Sequence, residues 1–221
     1  MALYMDCALV NTIVEIAKTV PIAGVTTNPT ILLQAREKGQ TMSDMEILST
    51  LLRQQDGLVF MQPGMTDEGA MFDLAVEYIK LSPDRVIPKI PITPKGVRVA
   101  RRLQRMHFHF AFTAVTTVAQ VYTAAMMQAD FVIPYYGRLE RSGIDANKRI
   151  ASMFELIRKH NLPTRILASS LKTPEDVVRA LNSGAQDITA TPEVLMSMLS
   201  DPLSEDAVQK FEQDWLKMKN L

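Results

Sequence analysis

Short apolar runs alternate along the chain with longer stretches in which apolar residues recur at helical spacing, the pattern of repeated strand-and-helix units around a parallel sheet. Eight runs read as strands: Ala2 to Met5, Ile22 to Thr26, Leu58 to Met61, Val86 to Ile90, Phe108 to Phe112, Phe131 to Pro134, Arg165 to Ala168 and Asp187 to Thr189. Each is short and apolar, as strands covered on both faces are. Helices are expected over Asp67 to Leu81, Pro94 to Met106, Ala114 to Gln128, Ile144 to His160 and Thr173 to Asn182. The last has Thr173 as a candidate N-cap, Pro174 at its first position and Gly184 just past its end. Pro192 to Leu199 follows the eighth strand, and then a charged amphipathic helix over about 204–219, with Phe211 and Trp215 on one face. Eight such units predict an α/β fold, a (β/α)8 TIM barrel with an additional C-terminal helix.

A length of 221 residues suits one such barrel, and no Gly- or Ser-rich linker divides it, so a single domain over 1–221 is expected. Lys plus Arg and Asp plus Glu both total 24, so no basic excess argues for nucleic acid. No apolar run approaches the roughly 20 residues of a membrane span. The one cysteine, Cys7, cannot form an internal disulfide, and the N-terminus lacks the order of a signal peptide, so a cytoplasmic protein is expected.

In a barrel of this kind chemistry gathers where strands end, so polar residues that interrupt apolar runs there are the candidates. Asp6 closes the first strand, Thr26 and Asn28 the second and Gln62 the third. Lys89 interrupts the fourth, Thr113 closes the fifth, Tyr135 and Arg138 follow the sixth, and Ser170 and Lys172 the seventh. Lys89 is the most informative, because it stands inside Val86-Ile87-Pro88-Lys89-Ile90-Pro91-Ile92. Burial there disfavours the ammonium form and leaves amine free to attack a carbonyl. The alternatives are a lysine that snorkels to the barrel mouth or forms a fixed ion pair with Asp6. In Ala23-Gly24-Val25-Thr26-Thr27-Asn28-Pro29-Thr30, Asn28 could hold hydroxyl and carbonyl groups of a sugar fragment, but local chemistry favours an Asx turn before a helix.

These segments carry a resemblance. Leu3-Tyr4-Met5-Asp6, the Gly24 to Thr30 segment, Lys89-Ile90-Pro91-Ile92-Thr93 with Gly96, and Thr113-Ala114-Val115 with Ala119-Gln120 occur in this order. They are followed by Pro134-Tyr135 with Arg138, Leu167 to Ser170 with Lys172-Thr173-Pro174, and Lys210-Phe211-Glu212-Gln213-Asp214-Trp215. Almost end to end, the chain resembles the fructose-6-phosphate aldolase and small transaldolase family, class I enzymes that work through a Schiff base. The resemblance implies that Lys89 forms the imine and that Asp6, Thr26, Asn28 and Ser170 surround a dihydroxyacetone unit. It further implies that Tyr135 transfers the proton through a water held with Gln62 and Thr113, and that Arg138 with Ser170 holds the phosphate.

The reaction so implied is cleavage or formation of the C3–C4 bond of fructose 6-phosphate or a similar ketose, giving dihydroxyacetone and glyceraldehyde 3-phosphate. A transaldolase is the neighbouring alternative. Relatives of that kind usually carry glutamate where this chain has Gln62, which cannot exchange a full proton. A non-catalytic phosphosugar-binding barrel is the alternative from another class. The small-molecule partner is thus a sugar or sugar phosphate, with no cofactor and no metal. The resemblance also implies a homo-oligomer, in the form of a decamer of two pentameric rings, its C-terminal helix reaching a neighbouring subunit. Residues alone leave that helix equally suited to its own barrel.

The chain departs from the family around Arg138, with Tyr135-Tyr136-Gly137-Arg138 where relatives often read Tyr-Val-Asn-Arg and Leu139-Glu140 in place of Ile-Asp. Ser169, Leu171, Ile133 and Ala111 also replace common residues, so the pocket walls have changed shape while the catalytic set is intact. His107 and His109 would share a face in a strand, but with no Cys, Asp or Glu close in sequence they lack a metal-ligand set. Arg98, Arg101, Arg102 and Arg105 read as a basic helix surface, and the methionines as core filling.

Overall fold

A computed structural model describes residues 1–64 and 67–220 of the protein. Among them eight parallel strands close a barrel in sequence order. The strands are β1 (Ala2–Asp6), β2 (Gly24–Thr26), β3 (Leu58–Met61), β4 (Val86–Pro91), β5 (Ala111–Val115), β6 (Phe131–Pro134), β7 (Arg165–Leu171) and β8 (Asp187–Ala190). Helices α1 (Val10–Ala17), α2 (Pro29–Glu37), α3 (Asp44–Gln54), α4 (Glu68–Leu81), α5 (Pro94–Arg105) and α6 (Val118–Met126) accompany the first five strands. Then come α7 (Tyr136–Arg141), α8 (Ala146–Lys159), α9 (Pro174–Asn182), α10 (Pro192–Ser197) and α11 (Pro202–Lys219). The expected (β/α)8 TIM barrel with a C-terminal helix is therefore the architecture found.

Helix starts follow from capping side chains. Asn28, Ser43, Asp67, Thr93, Thr117, Asp145 and Thr173 each accept a backbone N–H two or three positions inside their helix. Asn28 thus takes the Asx-cap role that local chemistry favoured. Gly24 begins β2 at φ 146°, and a Cβ there would lie 1.9 Å from the Leu58 carbonyl oxygen, so glycine is what lets β2 lie against β3.

The fifth strand lies three residues later than its apolar run suggested. Helix α5 unwinds through His107 in the left-handed region at φ 58°, with the N–H groups of Met106, His107 and Phe108 satisfied by the last carbonyls of α5. Phe108 to Phe110 then form a connection, not a strand. Asp130 pins it, accepting from the Phe110 N–H at 3.0 Å and from His109 Nδ1 at 2.8 Å. The two histidines therefore do not share a strand face, and among the described residues no cluster of three or more His, Cys, Asp or Glu could hold a metal. The helix expected from Ala114 begins instead at Val118, because Ala114 and Val115 belong to β5.

The barrel interior is filled by Tyr4, Phe60, Ile87, Ala111, Phe131, Ile133 and Leu167, with Phe60 meeting Tyr4 and Phe131 edge to face. A larger apolar layer lies between strands and helices. At the amino-terminal end of the barrel Arg165 of β7 donates through Nε and Nη2 to both oxygens of the fully buried Asp187 of β8, at 2.7 and 2.6 Å. Burial and the Asp187 charge together hold the neighbouring Tyr4 phenol up at about 12. Among the described residues no helix is long and apolar enough to cross a membrane. Helix α11 has no buried residue and leaves Leu203, Phe211, Trp215 and Leu216 exposed, so it does not pack its apolar side on its own barrel.

The Arg165–Asp187 pair is asymmetric, since the arginine side chain keeps 43% of its exposure and the aspartate none. Removing the arginine strands a buried charge, a loss of about 3–5 kcal/mol, whereas Asp187→Asn leaves a cation that water still reaches. Urea unfolding should therefore find Arg165→Met clearly less stable than Asp187→Asn. Equal losses would refute this account of the pair.

Candidate active site

Period-two alternation within each strand places a polar group above each interior residue. Asp6 stands two positions beyond Tyr4, Gln62 beyond Phe60, Lys89 beyond Ile87, Thr113 beyond Ala111 and Tyr135 beyond Ile133. All lie toward the carboxyl ends of their strands, where barrels of this class place their chemistry. Thr26 ends β2, which pairs with β1 so that Asp6 lies beside it.

Lys89 is 3% exposed, and its Nζ donates to the Thr27 carbonyl oxygen at 2.6 Å. It does not snorkel into solvent, and among the described residues no ion pair joins it to Asp6. Burial is the leading influence on this amine and lowers its pKa below the ordinary lysine value of 10.5, while the more distant Asp6 charge opposes it. The carboxyl of Asp6 is shifted the other way. Burial raises it, against the attraction of Lys89, the hydrogen bond from Thr26 and the charge of Lys172. For both groups desolvation outweighs their mutual attraction, which favours a neutral amine.

Asp6 is held by a hydroxyl chain. Thr26 Oγ1 donates to Asp6 Oδ1 at 2.6 Å and lies 2.7 Å from Thr189 Oγ1. Thr26 has one hydroxyl proton and gives it to Asp6, so Thr189 is the donor in the second bond. Beside Asp6 a cavity of about 240 Å³ opens outward between α2 and the start of α10, reaching Gln34, Lys38 and Glu193.

On the opposite strands, the Tyr135 hydroxyl and Thr113 Oγ1 share a 3.0 Å hydrogen bond. Thr113 is fully buried, and Gln62 is buried just past β3. Asn28 uses its side-chain oxygen to cap α2 at the Ile31 N–H, 3.0 Å away, so its NH2 group is what it offers a ligand. Arg138 lies exposed at the rim, its guanidinium carbon 4.8 Å from the centre of the Tyr135 ring. Ser170 is half-buried at φ 64°, beside a register shift in the β7–β8 pairing. A non-glycine residue held in this region is strained, and such strain gathers at functional sites.

Sequence reasoning missed two participants. Thr27 contributes its carbonyl to Lys89 while its own hydroxyl donates to the Phe60 carbonyl at 3.1 Å. Thr189 supplies the eighth strand's polar group, and the signal for it was there: a threonine two positions beyond Asp187 on the same face of an otherwise apolar run.

A desolvated lysine on the fourth strand, with a carboxyl and hydroxyls on one side and a tyrosine–threonine pair on the other, can form an imine and exchange protons beside it. The comparison with protein families agrees with this chemistry. The family model described as transaldolase/fructose-6-phosphate aldolase matches residues 3–221. With nearly its whole length matched and its closed barrel in place, the chain belongs to the transaldolase/fructose-6-phosphate aldolase family.

Proposed function

We propose that the protein is a class I aldolase that forms or cleaves the C3–C4 bond of fructose 6-phosphate or a similar ketose through an imine on Lys89. The observation that carries this reading is the buried Lys89 amine, held by a carbonyl oxygen and not neutralised by contact with a carboxylate. The amine adds to the C2 carbonyl, and loss of water gives the iminium. Removal of the C4 hydroxyl proton breaks the C3–C4 bond. The bond's electron pair enters the iminium as an enamine, and the aldehyde departs. Protonation of the enamine at C3 and hydrolysis release dihydroxyacetone and restore the amine.

The Tyr135 hydroxyl, bonded to Thr113, serves as the proton-transfer group, with Gln62 orienting a water beside it. Asp6, Thr26, Asn28 and Ser170 take the hydroxyls of the three-carbon unit, and Arg138 takes the phosphate. Gln62 supports the aldolase over the transaldolase reading, since an amide orients a water without exchanging a full proton. The exposed apolar side chains of α11 suit a second copy of the chain, in a homo-oligomer.

Incubation with dihydroxyacetone followed by borohydride reduction should leave a three-carbon adduct on Lys89, mapped by digestion and mass, and none on a Lys89→Ala protein. Absence of the adduct from folded wild-type protein would count against an aldolase and a transaldolase alike. If the adduct forms, product analysis with and without an acceptor aldehyde separates those two.

Burial lowers the Lys89 pKa, so at pH values between its folded and unfolded values the unfolded chain carries the extra proton and stability rises with pH. The same shift keeps the amine nucleophilic at lower pH. The initial rate of imine trapping should therefore rise with pH and level off below 10.5. An inflection at or above that value would mean that the amine is an ordinary charged lysine.

Deleting residues 202–221 should lower the particle mass measured by light scattering. An unchanged mass would remove α11 from any subunit contact.

A further inference from the structure

Gly137 and Arg141 lie four residues apart on α7, and so on one face of that helix. The face is turned toward β7. A Cβ on Gly137 would sit 2.3 Å from the Ser170 carbonyl oxygen, 3.3 Å from Ser170 Oγ and 3.5 Å from Arg141 Nη1. Carbonyl, hydroxyl and guanidinium thus border a single gap, which exists because residue 137 has no side chain.

The walls of this gap are fixed. On one side the β6–β7 seam continues through a bridge from Tyr135 to Ser169, whose Oγ donates to the Pro134 carbonyl at 3.1 Å. On the other side the buried Tyr136 hydroxyl donates to Asn147 Oδ1 at 2.9 Å and accepts from Arg179 Nε at 3.3 Å, tying α7 to α8 and α9. The carboxylate nearest in sequence, Glu140, is engaged elsewhere and accepts from the Ala146 N–H at 2.7 Å. Among the described residues no ion pair neutralises Arg141. Its guanidinium, the Ser170 hydroxyl and Arg138 a turn earlier form two cations and a hydroxyl at one edge of the barrel mouth.

We propose that Arg141 is a further specificity-determining residue, a second cation that reaches the substrate's phosphate across the gap at Gly137, next to Ser170 Oγ. The inference rests on the aldolase reading for its substrate. A planar guanidinium beside a hydroxyl suits the oxygens of a phosphate monoester, to which it can donate two parallel hydrogen bonds. The departure from the family at residue 137 then has a chemical meaning: a longer side chain there would fill the space between Arg141 and Ser170.

The test is the ratio of kcat/KM for glyceraldehyde 3-phosphate to that for glyceraldehyde, with dihydroxyacetone as donor. Arg141→Gln should lower the ratio about tenfold, with Arg141→Lys falling between, and the difference should shrink with added salt. Gly137→Ala closes the gap, so adding Arg141→Gln to it should lower the ratio little further. A ratio unmoved by Arg141→Gln, or one that falls as far in the Gly137→Ala background as in the wild type, overturns the proposal. Two parallel measurements keep this separate from the aldolase reading: borohydride trapping of dihydroxyacetone on Lys89, and calorimetric titration with inorganic phosphate. An imine without Arg141-dependent discrimination defeats the Arg141 proposal alone. Phosphate binding that is weakened by Arg141→Gln in a protein that forms no imine defeats the aldolase reading and leaves the anion site standing.

Discussion

Closure of the parallel sheet is the constraint on which the site depends. Each strand pairs with a neighbour on both sides, β8 returning to β1 through Ala2–Asp187 to Met5–Ala190, so no edge is left open. Side chains that alternate inward then have nowhere to go but the barrel axis. Tyr4, Phe60, Ile87, Ala111 and Ile133 fill that space, and the next inward positions are Asp6, Gln62, Lys89, Thr113 and Tyr135. The geometry that packs the interior therefore also aims five polar groups from five strands at the same mouth. Arg165 and Asp187, at the other end, tie β7 to β8 where the interior meets solvent.

Lys89 illustrates how a fold makes a nucleophile from an ordinary side chain. An ammonium in water is stable and unreactive; surrounded by apolar strands it loses hydration that one carbonyl oxygen does not replace. Asp6 lies near enough to oppose the shift but is occupied by Thr26, which in turn is held by Thr189. The hydroxyl chain across β1, β2 and β8 thus keeps the carboxylate from simply neutralising the lysine. Such an arrangement lowers stability locally, and the continuous apolar layer between strands and helices offsets it.

The irregular part of the barrel is the seam on either side of β6. Ala114 and Ser170 both take left-handed φ angles, 60° and 64°, and both sit at register shifts, one in β5–β6 and one in β7–β8. Bulges re-aim the residues beside them. Here they adjoin Thr113, which meets Tyr135, and Ser170, which meets Gly137. The proton-transfer side and the phosphate side of the site are therefore both shaped by local departures from the regular strand, and the sequence departs from its family in this same region.

Local information was sufficient for much of this. Apolar runs marked all eight strands, Thr173 and Asn28 carried their own capping chemistry, and a lysine inside an apolar run announced Lys89, because each of these depends on residues within a few positions of one another. The limits of β5 were set instead by the left-handed turn at His107 and by Asp130, a residue some twenty positions away. Likewise Thr27 as the acceptor for Lys89, Thr189 as the donor to Thr26, and Arg141 beside Ser170 came only from the closed barrel. A periodic pattern fixes which face a residue occupies within its own strand or helix. Which residues from distant segments share that face is decided by strand register and closure, and these are properties of the whole chain at once.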